Sequence, residues 1–219
     1  SNRLPLFVGG SMMYFKSLLD GMHNLPERDN NFREELEKLK LKNEPYFLFK
    51  LLENKDPEYS QGVDKNDEMR IVRALEIINK TGTPLSNLLR EDKKEPLSDK
   101  YSISQFGILD DRHLIHERIE ERLKLILSSG LEEEAIKLDE KYDIAENHPI
   151  RKSVNYKQIF KYINGEYDIE TFFERALFAS RQLAKRQTTW IRGWKDFTET
   201  RIGDFATLED NVKKVISLL

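Results

Sequence analysis

A helix-rich α/β fold is the class this sequence predicts, and three observations predict it. The chain opens on an apolar run, Leu4–Val8, which ends at Gly9 and Gly10 and passes into a helical pattern. A second stretch, Tyr101–Leu109 (YSISQFGIL), alternates as a strand does. Most of the rest repeats its apolar residues at helical spacing, between capping residues and glycines.

Taken in order, Leu4–Val8 reads as a buried strand of a parallel sheet. Gly9 and Gly10 allow a tight turn, and Ser11 is placed to cap a helix that runs to about Leu19. The backbone N–H groups of such a helix start favour an anion. Gly10–Ser17 nearly matches the phosphate-loop pattern G-x-x-x-x-G-K-S/T, but Phe15 stands where the second glycine must be. Without it the backbone cannot curl its amides around a phosphate, and Lys16 falls inside the helix.

The next stretch is helical and charged. ERDNNFREELEKLKLKN starts near Asp29 or Asn30, and PYFLFKLLENKDPEYS gives a second, short helix. KNDEMRIVRALEIINKTG gives a third, capped by Asn66 or Asp67, with Ile71, Ala74, Leu75 and Ile78 as its apolar stripe and Gly82 as its stop. Residues 90–100 (REDKKEPLSDK) form a polar linker. After the second strand come helices over Arg112–Ser128, Leu131–Tyr142, Tyr156–Asn164 and Ile169–Trp190, with a loop over residues 143–150.

The 219 residues suffice for one large or two small domains. No cysteine is present, which excludes a disulfide scaffold and a thiolate zinc site and fits a reducing, cytoplasmic setting. No apolar run reaches membrane-spanning length, and no charged-then-apolar leader is read, so neither membrane nor secretion is expected. The net charge of −3 hides an asymmetry. From Arg151 to Lys195 there are ten Lys and Arg against four Asp and Glu, so this region carries +6 and the remainder −9. A basic region on an acidic protein is an electrostatic footprint, unless it is only a solvated helix face.

That footprint is densest in SRQLAKRQTTWIRGWKDF, residues 180–197. On a wheel of the helix from Ile169, Phe172, Phe173, Ala176, Leu177, Ala179, Leu183 and Ala184 share one arc. Arg175, Arg181, Gln182, Lys185, Arg186 and Thr189 lie outside it. Gln187 falls within the apolar arc, either as a satisfied core amide or as a placed functional group. Arginine, glutamine, threonine and tryptophan together suit phosphate and base contacts, so RNA is the indicated partner. The residues form no complete catalytic set. The four histidines show no metal-ligand spacing; His113 and His116 stand at i,i+3 without a third ligand nearby, and no metal site is expected in this chain.

Five segments in order, VGGSMMYFKSLLDG, KNDEMRIVRALEI, HERIEERLKLILSSGLEEEAIKL, YKQIFKYINGE and ASRQLAKRQTTWIRGW, resemble the signature segments of the tRNA dimethylallyltransferases, also called tRNA isopentenyltransferases. The resemblance runs from about Arg3 to Trp194. It implies that the chain is part of a P-loop-type parallel-sheet core, residues 1–21 and 99–219, with a helical insertion, residues 22–98, that binds the tRNA anticodon arm. The implied reaction transfers a dimethylallyl group from dimethylallyl diphosphate to N6 of the adenosine at position 37, beside the anticodon. Mg2+ is implied for the complete enzyme, which is expected to be a monomer. Family members begin with roughly a further third of sequence holding the phosphate loop and the aspartate taken as general base, so this chain resembles a C-terminal portion, inactive alone. Two other readings fit the residues: a non-catalytic RNA-binding fragment, and a helical scaffold whose basic helix meets an acidic protein partner.

The resemblance carries over residue by residue. Ser11 stands for the threonine that lines the reaction channel, which keeps a hydroxyl there. Arg33 matches a tRNA-contacting arginine of the insertion. Met69, Arg70, Ile71, Val72 and Arg73 match a second RNA-contact segment. Lys152, Ser153, Val154, Asn155, Tyr156 and Lys157 fall on the segment relatives write R-x-V-G-Y-R/K; Asn155 replaces its glycine, and either Lys152 or its neighbour Arg151 supplies the substrate-binding cation. Lys185, Arg186, Gln187, Thr188, Thr189, Trp190, Ile191 and Arg192 match the main RNA-binding strip.

Overall fold

The computed structural model describes residues 4–91, 96–146 and 148–217. The chain divides into two compact units, Met13–Ser102 and the combination of Ser1–Met12 with Ile103–Leu219.

Helix α1 (Met12–Asp20) leads into the first of these. It is followed by α2 (Asn30–Lys42), α3 (Phe47–Lys55), α4 (Pro57–Ser60), α5 (Glu68–Thr81) and α6 (Leu85–Leu88). Aspartates set the starts: Asp29 accepts from the Phe32 N–H and Asp67 from the Arg70 N–H, each satisfying an amide that the helix cannot. The helix expected over residues 45–60 is split in two, because Pro57 cannot continue α3 and the Asp56 side chain caps α4 through the Tyr59 N–H. The same buried Asp56 accepts from the Ser86 N–H at 2.8 Å, which ties α6 to that break. Burial opposes its charge, but the N–H groups of Ser86 and Tyr59 outweigh burial and hold its pKa below the usual value. Gly82 takes a left-handed conformation (φ 69°) and ends α5, as its place in the sequence requires. Leu36, Leu52, Ala74, Leu75 and Ile77 form the core of this unit.

Within that core lies a carboxylate the sequence reading passed over. Glu76 is fully buried on α5. Its Oε1 accepts from the Asp29 N–H (2.6 Å) and Arg33 Nε (2.8 Å), and its Oε2 from Arg33 (3.0 Å) and Arg73 (2.5 Å). Arg73 also donates to the Pro26 carbonyl at 2.7 Å. One acidic side chain thereby fixes α2, α5 and the segment before α2.

The second unit holds β1 (Phe106–Ile108), α7 (Arg112–Ser128), α8 (Leu131–Tyr142), α9 (Tyr156–Ile163), α10 (Ile169–Arg192), β2 (Thr198–Thr200) and α11 (Phe205–Ile216). Strands β1 and β2 pair in parallel, with Gly107 opposite Glu199. The class is therefore a helix-rich α/β fold with a small parallel sheet. The strand expected over residues 101–109 shrinks to its last part, and β2 was not foreseen. Leu4–Val8, expected as a buried strand, is irregular and exposed. An apolar run becomes a strand only beside another that accepts its backbone bonds, and among the described residues no strand lies next to it. Part of the expected linker, residues 92–95, lies outside the described residues. Leu123 of α7, Leu131 and Ala135 of α8, Ile159 and Phe160 of α9 and Phe172 and Ala176 of α10 make the second core.

The Glu76 cluster sets a test of stability. Burial alone raises the pKa of Glu76, but the bonds from Arg33, the Asp29 N–H and Arg73 prevail and bring it from 4.5 down to about 2. A depressed folded-state pKa stabilises fully above the unfolded value, and this stabilisation is lost as pH falls from about 4.5 toward 2. Glu76→Gln is expected to cost about 3 kcal/mol, because both arginines lose their counter-charge yet remain partly hydrated. Urea unfolding at pH 7 and pH 3 checks both points: the gap between wild type and variant narrows at the lower pH.

Candidate functional site

The candidate site is built on α10. Asp168 caps this 24-residue helix by accepting from the Thr171 N–H, and its first half is anchored by Phe172 and Ala176, both fully buried. Arg181 is held inside the unit: it donates to Glu120 of α7 at 3.2 Å. Beyond Ala184 the polar face emerges. Lys185, Arg186, Thr189, Trp190 and Arg192 are exposed, and Lys185, Arg186 and Arg192 pair with no carboxylate among the described residues. Arg192 also stands in the last turn, where a cation is favoured by the helix dipole.

The inward side of the same turns meets protein. Gln187 Nε2 donates to the Gly10 carbonyl at 3.0 Å. Ile191 is half-buried, and a Cβ built on Gly107 of β1 would stand 3.1 Å from its Cγ2. Thr188 is half-buried as well. Trp194 Nε1 donates to Gln105 Oε1 at 2.7 Å, so this tryptophan fastens the end of α10 to the residue before β1. The ring of Trp190 lies 6.5 Å from that of Trp194, tilted by 46°, and is 43% exposed. Of the two tryptophans, Trp190 is the more exposed.

The 151–157 segment reaches the same helix. Asn155 adopts φ 72° and ψ −49°, a conformation that suits the glycine it replaces, and its N–H donates to Gln158 Oε1 at 2.9 Å. Its Oδ1 accepts from the Ser180 hydroxyl at 3.3 Å, which brings this turn to α10 about 7.5 Å of helical rise before Lys185. The Tyr156 hydroxyl donates to Glu134, and this bond, with burial second, pushes its pKa up to about 12. Val154 is half-buried, the Ser153 hydroxyl donates to the Pro149 carbonyl, and Lys152 and Lys157 are exposed.

The two cations left as alternatives are physically different. The Arg151 side chain is 12% exposed; it donates to Asp139 at 2.5 Å and to the Ile144 carbonyl at 2.9 Å, and lies 4.5 Å over the Phe160 ring. Arg151 thus serves the core, and Lys152 is left at the surface. Arg33 and Arg73 are likewise engaged by Glu76, whereas Arg70 is 66% exposed and, among the described residues, pairs only with Asp67 at 3.3 Å, and Met69 is 81% exposed. Ile71 is buried in the helical unit's core and Val72 is half-buried beside it.

The structure therefore gathers Ser11, the 152–157 turn and the 185–192 strip along α10, while Arg33 and Met69–Arg73 belong to the other unit. Ser11 directly precedes α1 and is exposed. Among the described residues no group of three or more His, Asp or Glu side chains could hold a metal ion. The described residues therefore offer no such cluster for the Mg2+ that the resemblance implies for the complete enzyme.

The model of the IPP transferase family matches residues 1–194. The chain belongs to the IPP transferase family. The tRNA dimethylallyltransferases of Legionella pneumophila strains Corby and Paris are each 41% identical to it over 192 residues, covering 88% of this chain and 61% of theirs. The chain thus spans about three fifths of the length of the curated relatives it matches. Among solved structures, the full-length tRNA isopentenylpyrophosphate transferase of Bacillus halodurans superposes with a TM-score of 0.55 at 24% identity, over 94% of this chain and 63% of its own. A eukaryotic dimethylallyltransferase crystallised acting on tRNA superposes with a TM-score of 0.66 at 22% identity, over 95% of this chain and 54% of its own. These two similarities show the fold.

Arg151→Ala is expected to lower stability by about 3 kcal/mol or more, since it leaves the core without its guanidinium and Asp139 without a partner. Lys152→Ala should change stability by less than about 0.5 kcal/mol. At Asn155, alanine cannot adopt the positive φ without strain, so Asn155→Ala should unfold at lower urea concentration than Asn155→Gly. Urea midpoints of the four variants check the ranking.

Proposed function

We propose that this chain is the RNA-gripping and channel-side part of a tRNA dimethylallyltransferase, acting as a monomer in the cytoplasm. The observation that carries the reading is the row Lys185, Arg186 and Arg192, three exposed cations without a carboxylate partner among the described residues. Membership of the IPP transferase family and the 41% identity to the Legionella enzymes support it.

In this reading the row meets phosphates of the anticodon arm, and Thr189 and Trp190 reach the loop, whose unpaired bases side chains can stack on and bond to. The helical unit grips the same arm, with Arg70 as its phosphate contact and Arg33 and Arg73 as scaffold. Adenosine 37 enters the channel past Ser11. Its N6 attacks C1 of dimethylallyl diphosphate: the N6–C1 bond forms, the C1–O bond breaks, diphosphate leaves with the electron pair, and the N6 proton passes to the general-base aspartate that the resemblance places in the part of the family enzyme this chain does not match. The residues of this chain bind and orient. Lys152 offers a point charge to the departing diphosphate, and the Ser11 hydroxyl lines the path of the adenine amine.

The 219 residues contain no phosphate-loop sequence. The chain alone is therefore expected to bind a tRNA anticodon stem-loop but to show no dimethylallyl transfer. Fused in cis to the part of the Legionella pneumophila relative that it does not match, it should gain turnover. Turnover by the chain alone would refute the assignment of roles. Lys185→Ala combined with Arg186→Ala should weaken stem-loop binding and flatten the slope of log affinity against log salt by about 1.5 units, with an unchanged circular dichroism spectrum.

A further inference from the structure

Gln187 stands in the strip matched to RNA contact, yet its amide is engaged by the protein. Nε2 donates to the carbonyl of Gly10, a residue 177 positions earlier and directly before Ser11. The approach depends on the glycine: a Cβ at position 10 would lie 2.3 Å from Nε2 and 3.2 Å from Cδ, so any side chain there would displace the amide. The bond leaves α10 from the turns that also carry Lys185, Arg186 and Arg192, and ends on the turn that carries the channel hydroxyl.

We propose that Gln187 is a positioning residue that locks the Gly9–Gly10–Ser11 turn to α10, so that the seat of the anticodon arm and the Ser11 hydroxyl are held in one frame. The proposal rests on the reading of α10 and Ser11 given above. A helix is stiff along its length, but the turn before α1 is irregular and exposed and takes its place from what it is bonded to. One amide thus converts the docking of RNA on the helix into a defined position for the hydroxyl. Displacements of about 1 Å at a reacting centre are enough to matter, which gives this tie its value to the reaction.

The sequence supplies a direct probe, because Gly10–Ser11 is the only Gly–Ser step in the chain. Labelling glycine carbonyls with 13C and serine amides with 15N yields a single correlation that reports the Gly10 carbonyl. Gln187→Ala removes the donor; Gln187→Glu keeps the size and turns the donor into an acceptor. Both are expected to move the carbonyl resonance upfield, as loss of an accepted hydrogen bond does. Adding a tRNA anticodon stem-loop should shift the wild-type peak and leave that of either variant in place, while affinity falls less than in the Lys185→Ala, Arg186→Ala double variant. A peak unmoved by Gln187→Glu would overturn the tie. A stem-loop shift that persists equally in the variants would overturn the coupling. An affinity loss in Gln187→Ala equal to that of the double variant would make Gln187 a direct RNA contact. Absence of stem-loop binding by the wild-type chain would overturn the site reading and the coupling with it.

Discussion

The burial of one face of α10 against α7 and α9 is the constraint on which the site depends. Phe172 and Ala176 are fully buried there, beside Leu123, Ile159 and Phe160. A buried phenylalanine contributes about 2–3 kcal/mol by transfer from water, and the helix it anchors is about 36 Å long. Half of that length is fixed in the core. The other half continues the same rod, tied on its inner side through Gln187 to the Gly10 carbonyl and lying with Ile191 near Gly107, and holds three cations at set spacing on its outer side. Arg181 marks the crossover: it lies on the polar side of the wheel but is still reached by Glu120.

The second physical theme is how the structure sorts arginines and lysines of like appearance. Removing a charge from water is costly unless a partner repays it, so Arg33, Arg73 and Arg151 are each found on a carboxylate and a carbonyl or backbone-linked network. Lys152, Lys157, Lys185, Arg186 and Arg192 are exposed and meet no carboxylate among the described residues. Cations of this second kind can exchange water and counterions for phosphate, and doing so makes binding depend on salt. The division runs between neighbours: Arg151 is bound into the core and Lys152 is not.

Much of this was legible in the sequence. Capping rules and helical period narrow the starts of α2 and α5 to Asp29 or Asn30 and Asn66 or Asp67, of which the structure uses Asp29 and Asp67; Gly82 and the apolar stripe of α5 follow from the same rules, and Arg112–Ser128 and Leu131–Tyr142 match the observed helices. The Asn155 turn was carried over from the resemblance, which has a glycine at that position, and its φ of 72° fits that glycine. What was not legible depends on distant partners. Strand β2 is three residues long and becomes a strand only by meeting β1, some ninety positions away. Leu4–Val8 has a strand's composition but no neighbour among the described residues. Glu76 sits between Leu75 and Ile77, a charge inside an apolar run, and that is the signal that could have exposed its role. Gln187 falls on an apolar arc, which fits either a satisfied core amide or a placed functional group; only the structure shows that the Gly10 carbonyl accepts from it.

The measurement that bears most directly on the basic end of α10 is hydrogen exchange of the 219-residue chain with and without a tRNA anticodon stem-loop, resolved by peptide. Slowed exchange is expected in peptides covering residues 152–157 and 185–194, where helix end and turn open to solvent, and no change over residues 169–177, already held in the core. Slowed exchange confined to other peptides, or none at all under conditions where the stem-loop binds, would contradict this reading of α10.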